Sequence, residues 1–344
     1  LEKILLLSND MAAELFHAKY NDFRSLTGMN TVALILMTLI DKGTKILITD
    51  PQAGGHGSLP KLCDNLGIQY APIPYDYMRM QIDYDGLNQI LEQDSRVSFL
   101  FFCQSDIIQP PELQKINLPP KVGIIYDATQ TLGLIAGGAL PNPLEACQNI
   151  IMIGGTHKTF PSVTCGYVAT NNDNYINRVK QNISPNFLRN VQVNNITSVC
   201  LSMLEMLKFG EAYAQKIIWT ANALGDALSG DGLRVKCTED GAFSHTHQLF
   251  IEVPKEQVDI SYTHFRNYGI TLNKRKTAYL TGFRLGVQEI ARYHFDEHIA
   301  NLAHLLCLVL NSPEKYHEIM NLKATLALCK SDQYVIDDLF MELE

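Results

Sequence analysis

The chain has 344 residues, of which 46% are apolar and 19% are charged. This composition excludes a disordered, a collagen-like or a disulfide-stapled protein, and the length predicts about two domains. The formal charge of −8 argues against a basic face that would bind nucleic acid or an anionic membrane.

The eight cysteines lie far apart and form no CxxC pair. This spacing predicts reduced thiols in a cytoplasmic protein rather than a disulfide framework or a zinc site. No apolar run approaches the ~18 residues that a membrane span needs, so we predict no span. The chain opens at Leu1, without Met, inside a helix predicted over 1–20. We therefore expect a further N-terminal segment to precede it.

Short apolar runs predict strands that are covered on both faces of a sheet. They lie at 45–49, 97–103, 122–126, 149–153 and 167–170. Helical patterns separate them, for example at 59–66 and 84–92. Strands that alternate with helices predict an α/β domain with a mostly parallel sheet.

A long helix is predicted over 190–228, because its apolar residues recur at helical spacing up to Gly230-Asp231-Gly232. Beyond it the pattern changes to α+β. The predicted elements there are strands at 249–253 and 270–273 and helices at 258–268, 294–309 and 332–343. We place the domain boundary inside the long helix, with a large domain at 1–212 and a smaller C-terminal α+β domain at 213–344.

Polar residues follow several of the predicted strands. Ligands of open α/β sheets bind at the carboxyl ends of the strands, and here those ends carry Gly54-Gly55-His56, Asp127 and His157-Lys158. Alone, a strand-end Asp is usually a cap and a Lys a solvated charge. Together, 31 residues apart, they suit pyridoxal phosphate. The Lys amine can form a Schiff base, and the Asp can keep the pyridine nitrogen protonated.

Two longer motifs resemble one enzyme family. Asp127-Ala-Thr-Gln-Thr-Leu-Gly-Leu-Ile-Ala-Gly-Gly138 and Thr156-His-Lys-Thr159 resemble the Asp-x-Ala-His…Gly-Leu-Ile-Ala-Gly and Thr-His-Lys-Thr stretches of serine hydroxymethyltransferases. The resemblance also includes Gly54-Gly55-His56 and 281–286, and it covers essentially the whole chain. It implies a fold-type I pyridoxal-phosphate enzyme with an aspartate aminotransferase-like large domain, and a homodimer with a shared active site.

The resemblance also implies roles for individual residues. Lys158 would form the Schiff base with the cofactor, Asp127 would pair with its pyridine nitrogen, and His157 would help to hold it. Gln130 stands where the family has a His near the phenolic oxygen of the cofactor. His56 and Thr129 are also predicted to bind the cofactor. Because Ala53 cannot stack on the pyridine ring, either His56 has moved in to cover that face or the face is bare.

Two more positions complete the predicted site. Thr27-Gly28-Met29 falls where the family has a turn that opens a helix and cradles the phosphate, a task for backbone N–H groups. Arg284 would bind the carboxylate of the amino-acid substrate through two parallel hydrogen bonds.

The chain also departs from the family pattern. Ala53 stands where the family has a His that stacks on the pyridine ring, and Arg275 stands where it has a folate-contacting Asn. The glycine-rich loop that follows the family's lysine reads Pro161-Ser-Val-Thr-Cys-Gly166 here. The family's N-terminal catalytic Glu and Tyr have no counterpart in this chain. These departures weaken the case for folate-dependent transfer more than the case for the cofactor.

The predicted function is therefore a pyridoxal-phosphate reaction on a small α-amino acid. Cleavage or formation of a Cα–Cβ bond is favoured, in the manner of a hydroxymethyltransferase, an aldolase or a transaldolase. Transamination, racemisation, desulfuration and an inactive relative with a binding role remain open. A metal site at His245, His247 and His56 is not expected, because the first two precede a strand and could simply be solvated or capping.

Overall fold

The computed structural model describes residues 2–293, 295–329 and 334. The chain divides into two compact units. The first consists of Leu1–Asp76, Gln81–Ser105 and Pro111–Ala214, and the second of Tyr77–Met80, Asp106–Pro110 and Gln215–Glu344. The units are thus not continuous in sequence, whereas the domains predicted from sequence are. That domain division stays a prediction.

The strands of the first unit are β1 (Tyr20–Asp22), β2 (Lys45–Ile48), β3 (Gln69–Pro72), β4 (Tyr75–Asp76), β5 (Gln81–Ile82), β6 (Val97–Phe102), β7 (Gly123–Asp127), β8 (Ile150–Gly155) and β9 (Gly166–Thr170). Seven of them form one sheet in the order β1-β9-β8-β7-β6-β2-β3. Five neighbouring strands of this sheet run parallel to one another, namely β8, β7, β6, β2 and β3. Strand β9 is antiparallel to both of its neighbours, β1 and β8. The predicted α/β class with a mostly parallel sheet is confirmed.

The helices of the first unit are α1 (Glu2–Phe16), α2 (Gly28–Leu39), α3 (Ser58–Leu66), α4 (Tyr84–Gln93), α5 (Leu132–Ala136) and α6 (Asp173–Asn182). Helix α7 (Val193–Gly230) starts in the first unit and continues into residues of the second. The five predicted strands are all present. The predictions missed β1, β3 and the two-residue strands β4 and β5. β1 includes the polar residues Asn21 and Asp22, and the residues of β3 are largely accessible.

Helix α2 is fixed on the sheet by one apolar face. Its residues Val32, Ile35, Leu36 and Leu39 recur at helical spacing and are at most 1% exposed. They pack in one core with residues from the strands of the sheet. At the other end, the Thr27 side chain caps the helix by accepting a hydrogen bond from the Asn30 N–H. This packing sets where the N-terminus of α2 lies.

The second unit contains β10 (Gln248–Glu252), β11 (Asn273–Lys276) and β12 (Thr281–Gly286), which pair antiparallel in the order β10-β12-β11. Its other helices are α8 (Val258–Asn267), α9 (Ile299–Asn311) and α10 (Tyr316–Leu326). The predicted strand at 270–273 begins only at Asn273. Gly269 ends the helical region with a φ of 67°, and the Ile270 N–H donates to the Phe265 carbonyl. Ile270 is therefore used to close α8.

The helix predicted over 294–309 begins at Ile299, after a 3₁₀ turn over Asp296–His298, and it ends at Asn311. The helix predicted over 332–343 lies outside the described residues except for Tyr334. Helix α10 was not predicted. None of the helices that the structure describes combines the length and the apolar character needed to cross a bilayer.

Candidate active site

Four parallel strands, β2, β6, β7 and β8, are neighbours in the sheet and end at the same edge. The segments that follow β2 and β6 are joined by backbone hydrogen bonds. The His56 N–H donates to the Cys103 carbonyl at 2.8 Å, and the Ser105 N–H donates to the Gly54 carbonyl at 2.7 Å. This edge carries the predicted residues of the first unit and is the candidate site.

The Asp127 carboxylate ends β7 and accepts three hydrogen bonds. Its Oδ1 accepts from the Thr129 N–H at 2.9 Å and from the Thr129 hydroxyl, and its Oδ2 accepts from Cys103 Sγ at 3.2 Å. Cys103 follows β6. Its thiol is buried, and this burial together with the negative charge of Asp127 raises its pKa well above the usual range. The thiol therefore stays protonated and donates.

Thr129 links Asp127 to the next strand. Its Oγ1 accepts a hydrogen bond from the Gly155 N–H, at the end of β8, at 2.9 Å. The N-terminus of α2 reaches the same atoms, because a Cβ placed on Gly28 would lie 3.3 Å from both Thr129 Oγ1 and Gly155 N. Only a glycine lets the helix approach this closely without displacing them.

Lys158 is half-buried in the loop after β8, between two threonines that are fully buried. The Thr156 hydroxyl donates to the Val163 carbonyl at 2.6 Å and accepts from the Cys165 N–H at 3.0 Å. The Thr159 hydroxyl donates to the Gln130 carbonyl and accepts from the Gly133 N–H, both at 3.0 Å. The lysine thus lies in a segment that buried hydrogen bonds hold in place.

His157 lies beside Lys158 and points its side chain toward Gly155. A Cβ placed on Gly155 would lie 3.1 Å from Cε1 of the His157 ring. Partial burial and the charge of Lys158 lower the pKa of His157. The ring is therefore neutral at pH 7, and it can donate or accept a hydrogen bond.

The side chains of two residues predicted to bind the cofactor, Met29 and His56, make contacts within the protein. The Met29 side chain packs against the core beneath α2, so this position offers only its backbone to a ligand. The His56 ring accepts a hydrogen bond from the Ser58 N–H, at 3.3 Å, next to the start of α3.

Ala53 is 3% exposed and ends a 3₁₀ turn that starts at Pro51. Gln130 is 9% exposed and lies in the segment after β7, three residues beyond Asp127.

Arg284 lies in the second unit, on β12, where it binds a carboxylate of the chain itself. Its Nη1 donates to Asp106 Oδ1 at 2.7 Å. Arg275, on β11, binds the same carboxylate with its Nε at 2.7 Å from both oxygens. Neither Asp106 nor its pairing could be found from the sequence, because the partners are 169 and 178 residues away.

The residues at the edge of the first unit fit pyridoxal phosphate. The cofactor needs an amine, a carboxylate for its pyridine nitrogen and a cradle for its phosphate. Lys158 would offer the amine, Asp127 the carboxylate and the N-terminus of α2 the cradle, and these segments are connected at one sheet edge. Among the residues that the structure describes, no group of three or more His, Cys, Asp or Glu side chains could hold a metal ion.

Comparisons with known proteins place the chain among one group of relatives. A family model described as serine hydroxymethyltransferase matches residues 1–306. The serine hydroxymethyltransferase of Sulfolobus acidocaldarius is 31% identical over 312 residues, which are 86% of this chain and 71% of that protein. The enzyme of Pyrococcus furiosus is 28% identical over 339 residues, which are 91% of this chain and 77% of that protein.

One solved structure extends the comparison to the fold. The L-threonine transaldolase from Pseudomonas fluorescens, in its internal aldimine state, superimposes with a TM-score of 0.88. The match covers 99% of this chain and 81% of that chain at 22% sequence identity, so it shows the shared fold. The fold and the site together define a fold-type I enzyme that depends on pyridoxal phosphate. The chain belongs to the serine hydroxymethyltransferase family.

Membership of this family confirms several predictions. The family resemblance, the fold class, the cofactor and a transferase-type reaction at the Cα–Cβ bond of a small amino acid are all supported. The roles of the individual site residues stay predictions. Sequence reasoning missed the side chains that hold the predicted residues in place, namely Cys103, Thr156 and Thr159 in the first unit, and Asp106, which binds Arg284 in the second unit. Of these residues, only the two threonines could have been found from the sequence, because they flank His157-Lys158 in the family motif.

Proposed function

We propose that this protein cleaves and forms the Cα–Cβ bond of a small β-hydroxy α-amino acid, with Lys158 as the residue that binds the cofactor covalently. The observation that carries the proposal is the hydrogen-bonded path from Asp127 through Thr129 to Gly155, at the start of the loop that bears Lys158. Hydroxymethyltransferases, aldolases and transaldolases all carry out this bond change.

Pyridoxal phosphate, when bound, supplies an electron sink for the charge that develops at Cα. The chain positions its own groups around that chemistry. Asp127 would pair with the pyridine nitrogen and keep it protonated, and the N–H groups at the start of α2 would hold the phosphate. His157, whose pKa is lowered, would help to hold the cofactor beside Lys158. Gln130 is a further proposed contact with the cofactor, whereas Thr129 would serve the site through the Asp127 carboxylate, to which its hydroxyl donates.

Arg284 is the proposed partner of the substrate carboxylate, by the family resemblance. A guanidinium that binds a carboxylate with two parallel hydrogen bonds fixes the orientation of Cα, and this orientation decides which bond breaks. In the structure Arg284 and Arg275 share the Asp106 carboxylate, so a substrate carboxylate would bind Arg284 beside Asp106 or in its place.

We further propose that the reaction does not require folate. Arg275 stands where the family has its folate-contacting Asn, and its guanidinium binds both oxygens of Asp106. The L-threonine transaldolase has the same fold, and its name specifies transfer from threonine. Threonine and serine are therefore the first substrates to test, each with and without tetrahydrofolate.

The protein is also proposed to be a cytoplasmic homodimer and to have lyase activity when no acceptor aldehyde is present. All eight cysteines are free thiols, which supports a reducing compartment. Light scattering of the purified protein gives the mass of the assembly. A monomer at micromolar concentration would overturn the homodimer.

The deciding experiment combines a label with an activity. The holoenzyme is reduced with borohydride, and its peptides are mapped for a pyridoxyl group, which we expect on Lys158. In parallel, Lys158→Ala should abolish the formation of glycine from threonine or serine. A label on another lysine, or full activity of the variant, would refute the proposal. Pyruvate or alanine as the main product would instead favour another pyridoxal-phosphate reaction.

A further inference from the structure

The Asp127 carboxylate is held from three neighbouring strands. Its own strand, β7, leads into Thr129, whose N–H and hydroxyl donate to Oδ1. β6 leads into Cys103, whose thiol donates to Oδ2. β8 ends at Gly155, whose N–H donates to the Thr129 hydroxyl and thereby fixes the direction of its proton. Both carboxylate oxygens are thus oriented by donors that the sheet itself positions.

One of these donors departs from the family motif that this chain resembles. The family motif has the order Asp-x-Ala-His, and Thr129 stands at its Ala position. An alanine cannot donate from its side chain, nor can it accept from the Gly155 N–H. The hydroxyl therefore adds two hydrogen bonds, which connect the end of β7 with the end of β8.

We propose that Thr129 and Cys103 are positioning residues that fix the Asp127 carboxylate for the cofactor's pyridine nitrogen. This inference rests on the role of Asp127 given in the proposed function. A carboxylate with two held oxygens keeps one orientation, so little freedom is lost when the pyridine nitrogen binds. Loss of the Thr129 hydroxyl would also leave the Gly155 N–H, next to the phosphate cradle, without its acceptor.

The expected effect can be stated as a change in cofactor affinity. A hydrogen bond to a charged group typically contributes enough to change a dissociation constant roughly tenfold to a hundredfold. Thr129→Val keeps the volume of the side chain and removes the hydroxyl, so we expect a loss within this range. Thr129→Ser keeps the hydroxyl and should restore most of the affinity. Cys103→Ala should weaken binding less, because a thiol is a weak donor.

The dissociation constant is measured by equilibrium dialysis of the holoenzyme against falling concentrations of pyridoxal phosphate. The absorption maximum of the bound cofactor and its pH dependence are recorded for each variant. A merely structural role would change stability but would leave this spectrum unchanged. Thr170→Val is the matched control, since its buried hydroxyl donates to the Ile150 carbonyl at the opposite end of β8. It should leave both affinity and spectrum unaltered.

A double-mutant cycle separates this inference from the proposed function on which it rests. In an Asp127→Ala background the Thr129→Val change should lower cofactor affinity much less than it does in the native background, because the carboxylate it orients is gone and only the hydrogen bond to the Gly155 N–H is still lost. If Asp127→Ala binds the cofactor as tightly as the native protein, the proposed role of Asp127 is wrong. If Asp127→Ala weakens binding and Thr129→Val does not, only the positioning role is overturned.

Discussion

The Asp106→Asn variant tests how much the second unit depends on one buried carboxylate. The Asp106 side chain is 7% exposed and forms ion pairs with both Arg284 and Arg275. The exposed fractions of these two side chains are 11% and 22%. The strand register explains why both guanidiniums reach it. Arg284 pairs with Asn273 and Arg275 pairs with Gly282, so the two arginines are diagonal neighbours on one face of β11 and β12.

The amide that Asp106→Asn introduces would keep the volume of the side chain but would leave two positive charges side by side without a counter-charge. Removal of one partner from a buried ion pair typically costs about 3–5 kcal/mol. Arg275 is partly accessible and can turn toward water, which places the expected loss at the lower end, about 3 kcal/mol. The loss should appear in the stability of the second unit.

The assay is urea unfolding followed by the fluorescence of Trp219. The chain has a single tryptophan, and it lies in the same unit as Asp106. Asp259→Asn is a matched control, because Asp259 also accepts from two cations, Lys274 and Lys276, both at 2.6 Å. Those two lysines lower its pKa to about 2, yet its side chain is 57% exposed.

Water replaces the lost interactions at an exposed site, so Asp259→Asn should leave the unfolding midpoint close to that of the native protein. A loss below about 1 kcal/mol for Asp106→Asn would refute the reasoning from burial. An equal shift of the midpoint in both variants would refute it as well, since it would show that exposure does not matter here.

Three further predictions concern the first unit. Thr159→Val removes the acceptor of the buried Gly133 N–H, so it should lower the unfolding free energy by about 1–3 kcal/mol. Cofactor affinity should fall as well, because the Lys158 loop loosens. An unchanged thermal midpoint and an unchanged affinity would contradict this. Gly133→Ala should give no folded protein at about 37 °C by circular dichroism, because the new Cβ would lie 2.1 Å from the Thr159 carbonyl oxygen, and a cooperative native-like melt would disprove it. Burial raises the pKa of Cys165 from the ordinary 9.0 to about 12. The folded state therefore keeps a proton that the unfolded state loses, and stability should fall by about 1.4 kcal/mol per pH unit between pH 9 and 12 on account of this thiol. Cys165→Ala should make the measured decline shallower, and an identical slope would exclude Cys165 as its cause.

The order of strands and helices in the first unit could be read from the sequence, because strands covered on both faces are continuous apolar runs. The five predicted strands all lie in the main sheet. Strands β1 and β3 of the same sheet, which the predictions missed, lack this signal, because β1 includes two polar residues and β3 has largely accessible side chains. In the second unit, the strand predicted at 270–273 begins late, because the hydrogen bonds that close α8 take up Ile270.

Local sequence was enough to predict the family, the cofactor and the residues proposed to carry the chemistry, because Asp127 and His157-Lys158 lie in motifs that are specific to this family. The contacts that hold these residues follow from the tertiary structure. Cys103 reaches Asp127 because β6 and β7 are neighbours in the sheet, and Thr129 reaches Gly155 because β7 and β8 are neighbours.

The Asp106 carboxylate in the second unit also depends on tertiary contacts, and these join residues that lie farther apart in the sequence. Asp106 meets Arg275 and Arg284 across more than 160 residues of chain. Such contacts depend on which segments the fold brings side by side, and local sequence patterns contain no record of that pairing.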